Sequence, residues 1–450
     1  MNFELLDKYN IPAPRYTSYP TVPYWQTEPP TVAAWQASVL QAFGQSREIS
    51  LYIHLPYCES LCTYCGCNKH ITKNHTVESP YIETLLREWH LYTSLLPARP
   101  LLRELHLGGG TPTFFQPEHL ETLINGILAA VELPETHDFS FEAHPNSTTS
   151  EHLQTLRRLE FNRLSIGVQD FDAEILRIIN RRQTEAEVYQ VLAAARAAGY
   201  ESVNFDLIFG LPNQTPAHIQ TTMQHIEHLR PERIAFYSYA HVPWLKPGQR
   251  AYSEADLPQG AAKRTLYELG RALLTDMGYL ETGMDHFALP EDALSRAMQS
   301  GTMHRNFMGY TPYFTGLSIG LGASSISDSW GAFVQNEKSI AAWRALVNSG
   351  SWPIVKGHLL SPEDLVLRQH ILNLMCRGYT FWQNEKEQCA ALYAGLQRLE
   401  PMVADGLVAI EPYHLQITEA GQPFVRNVCL ALDAHFWQRQ PEGQLFSQAV

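Results

Sequence analysis

Between Leu51 and Tyr239, six short apolar runs are each followed by a longer, mostly amphipathic stretch. The runs are Leu51–Leu55, Glu104–Leu107, Asp138–Ala143, Arg163–Val168, Ser202–Phe209 and Arg233–Tyr239. Pro80–Leu96, Pro117–Val131, Glu151–Glu160, Glu185–Ala198 and Pro216–Leu229 lie between them and carry apolar residues at helical spacing. Repeated β-then-α units demand parallel strands with right-handed crossovers, so the fold class is α/β. Periodicity does not separate a barrel from an open sheet. In either case functional sites gather at the C-terminal ends of the strands.

That rule sorts the polar residues onto one rim. The first run leads into a cysteine-rich loop and the second into Gly108-Gly109-Gly110-Thr111-Pro112. The third ends in Glu142-Ala143-His144-Pro145 and the fourth in Gly167-Val168-Gln169-Asp170. The fifth carries Asn204-Phe205-Asp206 and the sixth ends at Tyr239-Ala240-His241.

Beyond the sixth unit the pattern changes. A helix over Pro258–Met277 precedes Gly283–Ala288 and a glycine-rich run, Gly316–Ser327. From about Leu359, helical Ser361–Cys376 and Glu385–Leu399 precede a hairpin-like Leu407–Ile417 and a helix from Thr418; Ser361 and Thr418 suit N-caps. Helices followed by a small hairpin suggest a winged-helix-like, mainly helical C-terminal domain. The expected division is an arm over 1–50, an α/β unit with its extension over 51–358, and the C-terminal domain over 359–450. Within the arm, Pro14–Thr21 reads as too polar and too proline-punctuated for a core element.

The 33 Lys and Arg against 46 Asp and Glu leave a net charge of −13, which argues against indiscriminate binding to nucleic acid or anionic membranes. Any anionic ligand must be held by local cations. No apolar run is long enough for a bilayer span and the N-terminus lacks a signal-peptide core, so a cytoplasmic protein is expected. Nothing in the pattern demands a dimer, and a monomer is expected.

Four of the seven cysteines fall between positions 58 and 67. Cys58, Cys62 and Cys65 make a C-x3-C-x2-C run, with Cys67 two residues on. Thiolates hold iron–sulfur clusters and zinc. A structural zinc site wants four protein ligands, so a zinc knuckle would have to recruit Cys67 or a histidine. A three-cysteine [4Fe–4S] cluster would instead keep one iron open to an outside ligand. The Cys65-x-Cys67 bite is cramped for one cubane.

This spacing after a first strand resembles the radical S-adenosylmethionine (SAM) superfamily. There, the open iron chelates SAM and one electron splits it to give a 5′-deoxyadenosyl radical. Pro14–Thr21, Tyr52–Cys58, Cys65–Lys69, Gly108–Thr113, Phe161–Phe171, Asn180-Arg181, Asp206–Pro212, Met284–Phe287 and His304–Phe307 narrow the likeness. They resemble the oxygen-independent coproporphyrinogen III oxidases (coproporphyrinogen III dehydrogenases) nearly end to end.

The resemblance implies a partial (β/α)6 radical SAM barrel with an N-terminal arm and a C-terminal substrate-covering domain. It implies an oxidoreductase of porphyrin and haem biosynthesis. Two propionates of coproporphyrinogen III would become vinyl groups, giving protoporphyrinogen IX. Cys58, Cys62 and Cys65 match the cluster ligands and Cys67 a cysteine outside the set. Tyr52, Gly109, Gly110, Thr111, Glu142 and Ile326 match positions around the first SAM. Tyr64, Gln169, Arg181, Asp206 and Ala240 match contacts to a second. His144-Pro145 stands where the family often has Asp-Pro, and His144 is left out of the site.

Each role has a plainer counterpart. The glycines suit a tight turn and Glu142 a helix cap or ion pair; Tyr52 and Ile326 suit core packing. Arg181 and Asp206 could form an unrelated salt bridge. Arg15, His286 and Arg305 are the candidate cations for the substrate's propionates, and the arm with Tyr16 and Tyr19 is the candidate lid. A low-potential donor such as flavodoxin or ferredoxin would supply the electron, and the acceptor is unknown. Alternative readings are a haem chaperone that makes no vinyl groups and a tetrapyrrole methyltransferase or ring-opening enzyme.

Overall fold

All six runs are strands in the computed structural model, which describes residues 3–441, 443 and 445–449. They are β1 (Glu48–Leu55), β2 (Leu101–Gly109), β3 (Asp138–Ala143), β4 (Arg163–Gln169), β5 (Ser202–Phe209) and β6 (Arg233–Ser238). They pair in chain order and all in parallel. Local signals set the helices between them. Helix Glu185–Ala198 begins at Thr184, where the Glu187 amide donates to the Thr184 hydroxyl and the Thr184 amide donates to the Glu187 carboxylate. It stops at Gly199, whose φ of 86° lies in the left-handed region that glycine enters without strain.

Alternation along the strands splits their side chains into two sets. Leu51, Ile53, Leu105, Phe139, Phe141, Phe205 and Phe236 are buried with apolar helix residues such as Leu85, Leu120, Leu156 and Ile219. The opposite set is polar and bonded from strand to strand. His106 pairs with Ser140 at 2.8 Å, the Asn204 amide donates to Ser165 at 2.7 Å, and Ser165 donates to Asp206 at 2.9 Å. One face of the sheet therefore builds the core and the other offers hydrogen-bonding groups.

The parallel array has seven strands, not six. After β7 (Leu280–Gly283) and β8 (His286–Ala288), which add to β6 antiparallel, β9 (Leu317–Leu321) returns to lie parallel to β1. β10 (Ile326–Asp328), β11 (Ala332–Asn336) and β12 (Ile354–Leu359) extend that edge antiparallel. The order is β12-β11-β10-β9-β1-β2-β3-β4-β5-β6-β8-β7, with no pairing between the outer strands among the described residues. The glycine-rich run thus hides a strand. Gly320 is needed there because a Cβ would stand 2.4 Å from the Ile326 carbonyl oxygen.

The C-terminal region follows β12. Helix Pro362–Arg377 leads to β13 (Tyr379–Phe381), helices Ala390–Arg398 and Glu400–Ala404, and the hairpin β14 (Val408–Glu411) and β15 (His414–Ile417). The three strands form a small sheet with β15 central, and helices Val425–Leu432 and Ala434–Gln438 follow.

The structure corrects the reading of Pro14–Thr21 as unfit for a core. Leu6, Tyr9, Tyr16 and Tyr19 are buried with Leu367, Leu374, Trp382 and Val428 of the C-terminal region. Tyrosine allows this because its ring is apolar and its tip can be bonded. Tyr16 Oη donates to Asp433 at 3.0 Å and Tyr19 Oη accepts from the Ala434 amide at 3.2 Å. The rest of the arm joins the other core, with Trp35, Val39 and Phe43 of helix Val32–Gln45 packed against the main sheet's cluster. Met1, Asn2, Glu442, Gln444 and Val450, which fall within the outer expected units, lie outside the described residues.

Candidate cofactor site at the strand ends

The cysteine loop is fastened at its base and in its middle. Tyr57–Cys58 pairs with His70–Ile71, and the His70 amide donates to the Pro56 carbonyl at 2.8 Å. Further along, the Thr63 amide donates to the Ile179 carbonyl at 2.9 Å and the Asn180 side chain to the Leu61 carbonyl at 2.6 Å. Cys58 is buried, Cys62 and Cys65 are partly buried, and Cys67 is exposed. Burial pushes the Cys58 thiol up to about 11, against a hydrogen bond from Thr111 Oγ1 at 3.4 Å. Donation from the Cys67 thiol, helped by Lys69, draws Cys65 down to about 6.

The donor set fits a cluster better than a single ion. Among the described residues, the one group of three such donors closing to within 4.8 Å of one another is His358, Asp364 and His435. Cys58, Cys62 and Cys65 are spread wider than the ligands of one zinc, whose sulfur atoms would stand about 4 Å apart at Zn–S distances near 2.3 Å.

The glycine segment is stitched to this loop. Gly110 N donates to the Leu55 carbonyl at 2.8 Å and Thr111 N to the Tyr57 carbonyl at 3.0 Å. A Cβ on Gly110 would stand 2.6 Å from the Pro56 carbonyl carbon, so the chain's own backbone demands this glycine. Gly109 sits at φ 111° and donates its N–H to Glu142 Oε2 at 3.2 Å. Glu142 Oε1 is 3.7 Å from His106 Nε2, and its side chain remains 43% exposed. Tyr52 stands on the polar face. Its hydroxyl meets His54 Nδ1 at 3.0 Å and its ring stacks on His106, at 6.0 Å and 19°. Core packing therefore does not account for Tyr52. Ile326 is reached from it through β9, since Tyr52 pairs with Gly320 and Gly320 packs on the Ile326 backbone.

A second group surrounds Arg181, which is buried. Its Nη1 lies 3.4 Å from Tyr64 Oη and 3.7 Å from Cys62 Sγ, its Nε donates to Gln183 at 2.8 Å, and its Nη2 donates to the Gly167 carbonyl. Gln169, at φ 71°, crowds the same spot, because a Cβ on Gly167 would meet Gln169 Nε2 at 2.7 Å and Arg181 Nη2 at 2.8 Å. Asp206 does not pair with Arg181. It accepts from Ser165 and Asn204, and burial together with the Glu142 charge lifts it to about 7. The carbonyls of Ala240 and Tyr64 both accept from Gln249 Nε2, each at 3.1 Å. Gln249, 2% exposed, is a positioning residue for which the sequence offered no signal.

With this geometry in place, similarity to known proteins becomes specific. The Radical SAM superfamily model matches residues 52–226. Oxygen-independent coproporphyrinogen III oxidase from Synechocystis is 36% identical over 99% of this chain and 97% of its own length. The protein of that name from Escherichia coli K12 is 34% identical over 99% and 98%. A solved structure described as coproporphyrinogen III oxidase from Escherichia coli, a radical SAM enzyme, superposes with a TM-score of 0.90 at 33% identity, covering 96% of this chain and 99% of that one. The chain belongs to the oxygen-independent coproporphyrinogen III oxidase family.

The fold is thus the family's radical SAM α/β fold with a mainly helical C-terminal region. The three residues singled out as candidate cations also come together. Arg15 Nη1 pairs with Asp285 at 2.9 Å, and Arg305 Nη2 donates to the Arg15 carbonyl at 3.2 Å. Arg305 is 7% exposed and lies 4.3 Å over the Tyr310 ring, yet its Nε and Nη1 have no partner among the described residues. His286 is a correction: burial, reinforced by Arg305 and Arg15, pushes it down to about 4, so it is neutral near pH 7. Sequence reasoning missed Lys263, whose Nζ donates to the Tyr239 carbonyl at 2.7 Å. Burial and the Arg15 charge bring it down to about 8. Among the described residues, no helix is long and apolar enough to cross a membrane.

Proposed function

We propose that this chain performs its family's reaction with the residues just described. It is an oxidoreductase of porphyrin biosynthesis that converts two propionates of coproporphyrinogen III to vinyl groups without oxygen, releasing carbon dioxide and giving protoporphyrinogen IX. A [4Fe–4S] cluster with SAM supplies, when bound, the one-electron chemistry that opens a C–H bond of the propionate side chain. Cys58, Cys62 and Cys65 hold the cluster. Tyr52, Gly109, Gly110, Thr111, Glu142 and Ile326 orient the first SAM, while Tyr64, Gln169, Arg181, Asp206 and Ala240 hold a second. These residues position the reacting C–H; near-attack placement, not acid–base catalysis, is their contribution.

One observation carries the substrate reading. Two N–H donors of Arg305 are buried without an acceptor, beside Arg15, and a buried charged donor left unpaired is costly. A propionate carboxylate supplies an acceptor for one of these donors in a charge-assisted hydrogen bond. Arg305→Gln should therefore raise KM for coproporphyrinogen III by about 10–100-fold, the worth of one charged hydrogen bond at roughly 1.5–3 kcal/mol, with iron content unchanged. A KM within twofold of wild type would remove Arg305 from the substrate site.

Arg181→Ala should lower kcat/KM for SAM by a similar factor while the cluster's visible absorption stays, because Arg181 touches the loop through Tyr64 and Cys62 without ligating. Unchanged SAM kinetics would return Arg181 to a structural role. The reaction itself is tested anaerobically with coproporphyrinogen III, SAM and a reductant, following carbon dioxide and vinyl product. Methylated product or bound haem without turnover would overturn it.

The electron donor is a low-potential protein such as flavodoxin or ferredoxin, with the final acceptor unassigned. The enzyme works as a monomer in the cytoplasm, since nothing in its sequence pattern demands a dimer and a net charge of −13 disfavours anionic membrane surfaces.

A further inference from the structure

We propose that His358, Asp364 and His435 form a site for a divalent first-row transition metal, ties the last strand of the large sheet to the C-terminal region through it, and lies outside the cysteine loop. The three come from different elements: His358 from β12, Asp364 from the first turn of helix Pro362–Arg377, and His435 from helix Ala434–Gln438. Their donor atoms all lie within 4.8 Å of one another. Both imidazoles turn Nε2 toward the same carboxylate, His435 at 2.6 Å from Oδ1 and His358 at 3.2 Å from Oδ2.

The spacing suits an ion. Zinc binds imidazole nitrogen and carboxylate oxygen at about 2.0–2.2 Å, which sets neighbouring ligand atoms roughly 3–3.5 Å apart. The His358 distance is already there, whereas His435, now at hydrogen-bonding distance, has to draw back by about 0.5–1 Å to share an ion. Two imidazoles and a carboxylate also form a donor set that such metals favour. His358 and Asp364 are each 5% exposed, and His358 Nδ1 has no partner among the described residues. One hydrogen bond of 3.2 Å is little compensation for burying an imidazole, and a metal bond would replace it with a stronger one at Nε2, although the unpartnered Nδ1 is untouched by such an ion.

The surroundings fix the carboxylate. The amide and hydroxyl of Ser361 both donate to Asp364 Oδ2 at 2.9 Å, the outer support that ligating carboxylates generally have. Tyr19 of the N-terminal arm packs its ring 5.8 Å from His435, so the arm closes the same junction. An ion there would join the sheet edge, the C-terminal region and, through Tyr19, the arm.

The test uses the full-length, cluster-loaded protein, treated anaerobically with a mild chelator and titrated with Zn2+ alone. One zinc per chain should be retained, its X-ray absorption should show nitrogen and oxygen neighbours, and Tm should rise with zinc. His358→Gln and His435→Gln should each weaken retention at least about tenfold with iron content unchanged. The wild-type absorption spectrum reads the ligands even if a variant folds poorly. Sulfur neighbours, equal retention by both variants, or no zinc-dependent change in the wild type would each overturn the proposal and leave a hydrogen-bonded triad.

Discussion

Cys58→Ser, Cys62→Ser and Cys65→Ser should each strip the iron and bring vinyl product below detection, while Cys67→Ser should keep both. A three-thiolate cluster that loses one ligand is held by two, and Cys67, a hydrogen-bonding neighbour of Cys65, offers only the cramped Cys-x-Cys bite in its place. The loop itself should survive the changes, because Pro56, Thr63, Leu61 and Gly110 fasten it through main-chain groups that serine leaves intact. The variants should therefore stay folded, with any fall in Tm no larger than that of the wild-type protein stripped of its cluster. Iron and sulfide analysis of anaerobically purified variants, beside a thermal melt, checks both halves. If Cys67→Ser loses its iron and one of the other three does not, the ligand assignment is wrong.

Those thiols show why so much was legible. The chemistry of a cluster loop is carried by a few residues at short spacing, and the strand before it is a run of apolar alternation, so both survive in the sequence. The polar face was less legible: Tyr52, His54, His106, Ser140 and Glu142 recur at period two, yet an amphipathic tyrosine such as Tyr52 suits core packing equally well in a sequence. Where the pattern is short or glycine-rich it fails. β9 spans only Leu317–Leu321 and its Gly320 exists to let Ile326 pass, so the sequence shows a glycine-rich run and no strand. His286 read as a cation because sequence does not report how deeply an imidazole is buried. Gln249, whose one side chain joins Tyr64 to Ala240, is set by a fold that brings together residues 185 positions apart. The plainer alternative for Arg181 and Asp206, a salt bridge between them, does not form, because the fold gives each a different set of partners.

Deleting residues 1–20 should unfold the C-terminal region instead of merely uncovering the site. As a polar lid, the arm would be dispensable for folding. Leu6, Tyr9, Tyr16 and Tyr19 are nevertheless core members there, at 9% exposure or less. Burying four such side chains is worth roughly 6–12 kcal/mol as an upper figure, at about 1.5–3 kcal/mol each. That equals the whole stability of a typical domain, about 5–15 kcal/mol. Arg426 adds to the loss. It is 4% exposed and donates to the carbonyls of Ala13 and Pro14 as well as to those of Ser447, Gln448 and Ala449, so truncation leaves a buried guanidinium short of acceptors. The main sheet should persist, since Trp35, Val39 and Phe43 lie beyond the cut and pack on it. Limited proteolysis should accordingly cut the truncated protein after about Leu359 while sparing the sheet, and its melt should lose the C-terminal transition. The point change Arg15→Gln separates the arm's two jobs: it removes the pair with Asp285 without touching the buried tyrosines, so it should keep the melt and impair turnover. A truncated protein that melts and resists protease like the full chain would show that the buried tyrosines contribute little, and the arm would then be a cover after all.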